Sequence, residues 1–284
     1  MKKTYLASTL VTLLALTACN NSPAESSEMN ENQSEQTTNN EESTNSSPSH
    51  VKDNSTDSTE DTSSSTEEST TLSTDEVINQ VKAELLMKES KLPTKFPVTD
   101  TGFLTAIINK NEEQAYSVSF YQTDTFIPIN DSTLDDTNQN ISLIATVEGE
   151  VYVDPTKQQE LFPETSLDNI PDEMAVDLGQ DIVGMEEGAA GSTYLQWKEG
   201  RWVFQIKTLS SSSLDNVNIA RKMVDYLELN ALPVPNESGR FEVDYPENAA
   251  NVEVISRFEE GDIVYSIKTN EVPIDALMMT VVTE

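Results

Sequence analysis

The sequence predicts an α+β fold: antiparallel sheets with two amphipathic helices, behind a disordered N-terminal tether. Three observations carry this expectation. Residues 20–72 are almost wholly Ser, Thr, Asn, Gln and Glu, a composition that cannot bury enough apolar surface to offset the entropy of ordering. Beyond them, two stretches place apolar residues at helical spacing. Around these stretches run short alternating segments of aromatic and β-branched residues, bounded by turn formers. Helices and strands are thus segregated along the chain, as in α+β domains.

Ser73, Thr74, Asp75 and Glu76 have capping-box spacing. Val77, Ile78, Val81, Leu85 and Leu86 then form one stripe, so a helix is expected to about residue 90, stopped by Leu92-Pro93. After Gly102, residues 103–108 read as a strand, 109–112 as a turn and 115–121 as a second strand, which predicts a hairpin. Phe126-Ile127-Pro128-Ile129 is extended, and Pro128, lacking an N–H, suits a sheet edge. A polar loop spans 130–140. Strands follow at 141–147 and 151–153, then an irregular stretch over 154–171 holding Pro155, Pro163 and Pro171. Residues 175–183 read as a strand broken near Gly179.

The stretch 184–197 leads to a tight turn, Lys198-Glu199-Gly200-Arg201, flanked by Trp197 and Trp202. The aromatic and β-branched residues on either side predict a hairpin. After a serine break, Leu214, Val217, Ala220, Val224 and Leu227 form the second helical stripe, ending before Leu232-Pro233. Residues 241–243, 252–254, 263–267 and 276–282 read as closing strands. An internal echo accompanies this order. Both helices meet a Leu-Pro at an offset of 140 residues, and Gln122-Thr123-Asp124-Thr125-Phe126-Ile127-Pro128-Ile129 resembles Lys268-Thr269-Asn270-Glu271-Val272-Pro273-Ile274. Two related helix-plus-sheet units with an insert between them would produce it. Alternatively, Leu-Pro is simply a convenient helix stop.

The N-terminus has the anatomy of an export signal. Lys2 and Lys3 precede a short apolar run that ends at Leu16-Thr17-Ala18-Cys19. The run is too short for a spanning helix. The closing four residues resemble a bacterial lipobox. That resemblance implies cleavage before Cys19, diacylglycerol on its thiol, and residence on the extracytoplasmic face of the cell membrane. The alternative is an ordinary secretory signal with a chance cysteine. Two acyl chains hold stably where one holds marginally. The expected organisation is a signal peptide over 1–18, a lipid-anchored linker over 19–72 and a folded domain over 73–284.

Cys19 is the only cysteine and His50, within the linker, the only histidine. With Cys19 lipidated, the mature chain has no free thiol for a disulfide, nucleophile or metal ligand. A histidine on the tether excludes Ser-His-Asp and Cys-His chemistry and His-based zinc sites. No cofactor or metal is expected. The formal net charge is −33; with the linker set aside, residues 73–284 carry 38 acids against 14 bases, a balance of −24. Such a surface repels phosphate backbones, which excludes nucleic acid, and attracts cations and basic partners. It also serves plain solubility.

Candidate chemistry is sparse. The loop from Asp131 to Asp136 is similar to a calcium loop, but Asp136 stands where glycine is needed and Ser142 where the closing Glu belongs. Asp177 with Asp181, or Glu186 with Glu187, offers carboxylate pairs for glycoside hydrolysis, though an acidic chain yields such pairs by chance. Gly188-Ala189-Ala190-Gly191-Ser192 lacks the spacing and lysine of a phosphate loop and fits a bulge or close strand packing. Trp197, Trp202 and Tyr194 could form a platform for a sugar or peptide. Tyr194 and Trp197, three apart on a strand, face opposite ways, so one of the two belongs to the core.

Leu92-Pro93-Thr94-Lys95-Phe96-Pro97, Ser119-Phe120-Tyr121-Gln122-Thr123-Asp124, the 187–192 segment, Trp197-Lys198-Glu199-Gly200-Arg201-Trp202 and Leu232-Pro233-Val234-Pro235 resemble uncharacterised lipoproteins of Bacillus-type Gram-positive bacteria. The resemblance implies location and kinship, and no activity. The expected function is a non-enzymatic binding or interaction module in the envelope, its partners the membrane through the lipid and an envelope protein or wall component. The alternative is a carboxylate-dependent hydrolase of wall glycans. An importer's solute receptor fits poorly, since helices and antiparallel strands do not make two α/β lobes around a hinge.

Overall fold

The computed structural model describes residues 72–135 and 140–284. Helix α1 (Thr74–Glu84) leads into a meander of β1 (Phe103–Glu112), β2 (Ala115–Thr123) and β3 (Ile141–Val151). A short α2 (Pro155–Gln159) precedes a second meander: β4 (Ala175–Gly179), β5 (Ile182–Ala189), β6 (Ser192–Glu199) and β7 (Trp202–Leu209). Helix α3 (Asn216–Leu227) connects to β8 (Gly239–Tyr245), β9 (Glu253–Glu260) and β10 (Ile263–Thr269), and α4 (Pro273–Val281) closes the chain. All ten strands join one sheet in the order β1-β2-β3-β10-β9-β8-β7-β6-β5-β4. Every pairing is antiparallel except β7 with β8. That pair is joined through α3, as a parallel connection requires. The chain is mainly β, one large sheet backed by a few helices.

Strand alternation gives this sheet two unlike faces. On one face, Trp197, Phe204, Phe241, Ser256, Ile267, Val147, Val118 and Ile108 stand opposite one another in a row across eight strands. Val77, Ile78 and Val81 of α1, Ala220, Met223 and Val224 of α3, and Ala276, Leu277 and Met279 of α4 complete the core. Two glycines let bulky rings lie flat on this face. A Cβ at Gly149 would strike the Tyr116 ring, and one at Gly239 the Trp202 indole. The opposite face is polar and carries the candidate site.

The capping box at Ser73 and Glu76 forms as expected. The helix it starts ends at Glu84 rather than near residue 90. The Asn111 side chain donates to the Glu84 carbonyl (2.9 Å) and accepts from the Leu86 amide (2.8 Å), turning the chain so that Met87 enters the core. The first strand runs four residues further than expected, to Glu112, and Asn109 is absorbed in it as a bulge, donating to Ser119 Oγ (2.8 Å). Residues 126–129 form no strand. They run along the outer edge of β1, where Thr105 Oγ1 donates to the Pro128 carbonyl (3.2 Å) and the Asn130 amide to that of Ala106 (2.8 Å).

The strand expected over 175–183 is two strands. Gln180 and Asp181, at φ 53° and 60°, make the two-residue turn between them. Ala190 and Gly191, at φ 51° and 83°, make the next, so the small-residue stretch is a hairpin turn rather than a bulge. The strand expected over 276–282 is α4. Pro273 opens it and Asp275 lies in its first turn, and Ala, Leu and Met favour a helix. The units α1-β1-β2-β3 and α3-β8-β9-β10 share an element order and meet through the antiparallel pair β3 and β10. The two similar strings do not occupy equivalent places, since one leaves β2 for a loop and the other leaves β10 for α4.

Candidate functional site

Several expected site residues do not meet. Trp197 and Trp202 are both buried, 0% and 4% exposed, and cannot form a binding platform. Trp197 stacks on Phe204 with centroids 4.9 Å apart. Trp202 Nε1 donates to the Pro233 carbonyl (2.9 Å). The reason is register: both indoles fall on the helix-covered face, whereas Tyr194 points to the polar one. Glu186 and Glu187 are neighbours on β5 and project to opposite faces, so they cannot flank one bond. Asp177 accepts from the Gly179 amide (2.9 Å) as a turn cap, and Asp181 lies in the exposed turn that follows. Asp131 accepts from the amide (2.9 Å) and hydroxyl (2.7 Å) of Thr133, bonds that hold its carboxyl below its usual value. Asp136 lies outside the described residues, as do Cys19, the signal over 1–18, most of the linker and His50.

The polar face gathers every base borne by a strand: Lys110, Lys198, Lys207, Arg240, Arg257 and Lys268. Arg240 and Arg257 stand directly opposite on β8 and β9. Glu242 keeps them together, accepting from Arg240 Nε and Arg257 Nη1, each at 2.8 Å. Lys207 pairs with Asp244 and Lys268 with Glu148, both at 2.6 Å. The hydrogen bond to Asp244 raises the Lys207 ammonium above its usual value, against the opposing effect of burial.

The segment after β3 crosses this face. Gln158 Nε2 donates to buried Glu259 Oε2 (2.8 Å) and to the Gly261 carbonyl (2.9 Å). The other Glu259 oxygen accepts from the Ser238 amide (2.9 Å). Arg240 Nη1 donates to the Pro163 carbonyl (3.1 Å) and Thr165 Oγ1 (3.4 Å). A cleft lies on each side of this strap. One, of about 650 Å³, is bounded by residues 162–168, the β6–β7 turn and the start of β8. The other, of about 360 Å³, lies over β2, β3, β9 and β10.

Arg240, only 6% exposed, lines the larger cleft together with Lys198 and Arg201. Arg201 Nη1 donates to the carbonyls of Pro235 and Asn236, both at 2.8 Å. Lys198 Nζ stays 3.7 Å from Asp168 Oδ1, beyond hydrogen bonding. The acids of the cleft, Glu164, Asp168 and Glu237, are all exposed. Around the corner, Glu199 lies in an apolar hollow with Trp202 and Leu232. Burial pushes its carboxyl up; the bond from Trp197 Nε1 (3.0 Å) opposes the rise, and Glu228 adds to it.

Arg240, Arg257, Glu242 and Glu259 carry the architecture of this face, and sequence reading passed over them. A signal was present: from Gly239 to Tyr245, charged and apolar residues alternate strictly, which places Arg240, Glu242 and Asp244 on one face. Their cross-strand partners follow from register, which the sequence does not display. Among the described residues, no group of three or more His, Cys, Asp or Glu side chains gathers as a metal site. Among them also, no helix is long and apolar enough to cross a membrane. Compared with known proteins, the chain matches no family model, no curated protein and no solved structure.

Proposed function

We propose that this chain is a membrane-anchored extracytoplasmic lipoprotein whose folded domain is a non-enzymatic binding module of the cell envelope. Lys2, Lys3, the short apolar run and Leu16-Thr17-Ala18-Cys19 support the anchor. The resemblance to lipoproteins of Bacillus-type Gram-positive bacteria supports the same placement. The tether over 19–72 lets the domain stand away from the bilayer, toward an envelope protein or wall component. Nucleic acid does not fit, because a net charge of −33 repels it.

One observation carries the binding reading. The larger cleft on the polar face is floored by a buried guanidinium and flanked by two further bases, with hydrogen-bond donors left over for a ligand. The alternative reading, a hydrolase of wall glycans, needs two carboxylates facing one bond. The pair at Glu186 and Glu187 cannot supply that geometry. The shared element order on either side of the β3–β10 pair supports a further proposal, that the two helix-plus-sheet units arose by duplication around the inserted β4–β7 meander.

The test is fractionation of cross-linked cells carrying the wild type or Cys19→Ala, followed by pull-down. The expected outcome is wild type in the membrane fraction with one envelope partner enriched, and Cys19→Ala released. If both forms fractionate alike, the anchor is wrong. If the protein releases soluble sugars from purified wall, the domain is a hydrolase and the binding reading is wrong.

A further inference from the structure

The larger cleft on the polar face has an uneven distribution of charge. Its positive groups, Lys198, Arg201 and Arg240, come from β6, the β6–β7 turn and β8. Arg240 is held by Glu242 through Nε and by Pro163 and Thr165 through Nη1. Its Nη2 has no acceptor among the described residues. Arg201 likewise spends only Nη1, leaving Nε and Nη2 without acceptors among the described residues. The negative groups, Glu164, Asp168 and Glu237, stand at the exposed margin, the Asp168 side chain being 83% exposed. Arg240 is thus the buried floor of the cleft, Lys198 and Arg201 stand exposed beside it, and the acids line the margin.

A guanidinium with spare coplanar donors is matched to a carboxylate or phosphate. The surroundings decide between them. A dianion approaching residues 73–284 meets a net charge of −24 and then three rim carboxylates. A molecule of no net charge escapes the long-range repulsion and can still place one carboxylate on the floor. If it also carries an ammonium group, the rim acids become partners instead of obstacles. A volume of about 650 Å³ is in the range of small-ligand sites. A free amino acid or short peptide with both termini charged has all these properties.

We propose that this cleft binds the zwitterionic termini of an amino acid or short peptide, with the carboxylate on Arg240 and Arg201 and the ammonium at the rim formed by Glu164, Asp168 and Glu237. The inference rests on the binding-module reading and names its ligand class.

The test is an NMR titration of the full chain, carrying Cys19→Ala so that no lipid is attached. The probes are trialanine with free termini, trialaninamide and inorganic phosphate. Trialanine should bind saturably at millimolar concentration or tighter, shifting the amides of Gly200, Ser238 and Gly239. Trialaninamide should bind about tenfold or more weakly, since it lacks the carboxylate. Phosphate should not displace trialanine. Arg201→Gln should weaken trialanine binding several-fold, and so should Asp168→Asn combined with Glu237→Gln. These are surface positions, and unchanged tryptophan fluorescence would show the core intact.

Equal binding of trialanine and trialaninamide overturns the inference, as does displacement by phosphate or the absence of saturable shifts. Those results leave the wider binding reading standing if the pull-down finds a partner. Hydrolysis of trialanine during the titration would instead end the non-enzymatic reading itself.

Discussion

At the scale of single residues, this protein depends on places where a side chain is absent. Gly149 on β3 lies against the Tyr116 ring, and the Tyr116 hydroxyl donates to the Lys91 carbonyl while accepting from the Lys91 amide (3.2 Å). The phenol therefore ties the segment after α1 to the sheet. Burial raises the Tyr116 ionisation far above its usual value, the bond to Lys91 only partly opposing it. Tyr265 is pushed up to about 12 by burial and then by Glu260 and Glu89. Gly149→Ala should drive the ring out of place and cost about 1–3 kcal/mol, the usual penalty of overpacking. Urea denaturation monitored by tryptophan fluorescence measures it, and an unchanged midpoint would mean that the ring moves freely. None of this was legible from the sequence. Gly149 falls there between two expected strands that are in fact the single strand β3, and the ring that needs its space lies on a neighbouring strand.

At the scale of elements, the strap over 154–171 differs from everything it touches. Its only buried residue is Gln158; most of its other side chains are exposed. It is held by polar bonds to Glu259, Gly261 and Arg240 rather than by apolar packing. Segments with few buried apolar contacts open locally well below the global unfolding free energy. Gln158→Ala should therefore speed hydrogen exchange and proteolytic cutting within 158–168, while the midpoint of global unfolding changes little. Equal loss of protection in β9 and β10 would show instead that Gln158 supports the whole sheet. Helix α4 gives the complementary lesson. Ala276, Leu277, Met279 and Thr280 are buried on one face, and Ile274, Met278 and Val281 make the other face apolar as well. Without a clear stripe, an apolar run of this length looks like a buried strand, and only Pro273 and Asp275 mark it as helical.

At the scale of the whole molecule, charge governs the response to solution conditions. Burial raises the carboxyls of Glu199, Glu271 and Asp275 above their usual values. Such groups keep their protons longer in the folded state. Their contribution to stability is greatest below the ordinary carboxylate values and falls as pH rises through the raised ones. Glu76 and Asp131 are held low by hydrogen bonds, so their contribution is lost as pH falls through the lowered values. The melting temperature should therefore rise from pH 7 to about 5 and turn down in stronger acid. Added salt should raise it at pH 7 by screening the repulsion within an acidic chain. Calorimetry across pH and salt checks both, and Glu271→Gln with Asp275→Asn should flatten the rise. A melting temperature that falls steadily from pH 7 would refute this account.

The sequence by itself determined the acidity, the capped start of the first helix, the turn at Gly200, and most of the strands. These follow from local backbone preference and from periodicity within a few residues. Only the tertiary structure decided that one sheet holds all ten strands, that both tryptophans face the core, and that Arg240, Arg257 and Glu242 converge beneath the strap. Those outcomes depend on which strand lies beside which and in what register, and a shift of one residue would exchange the two faces.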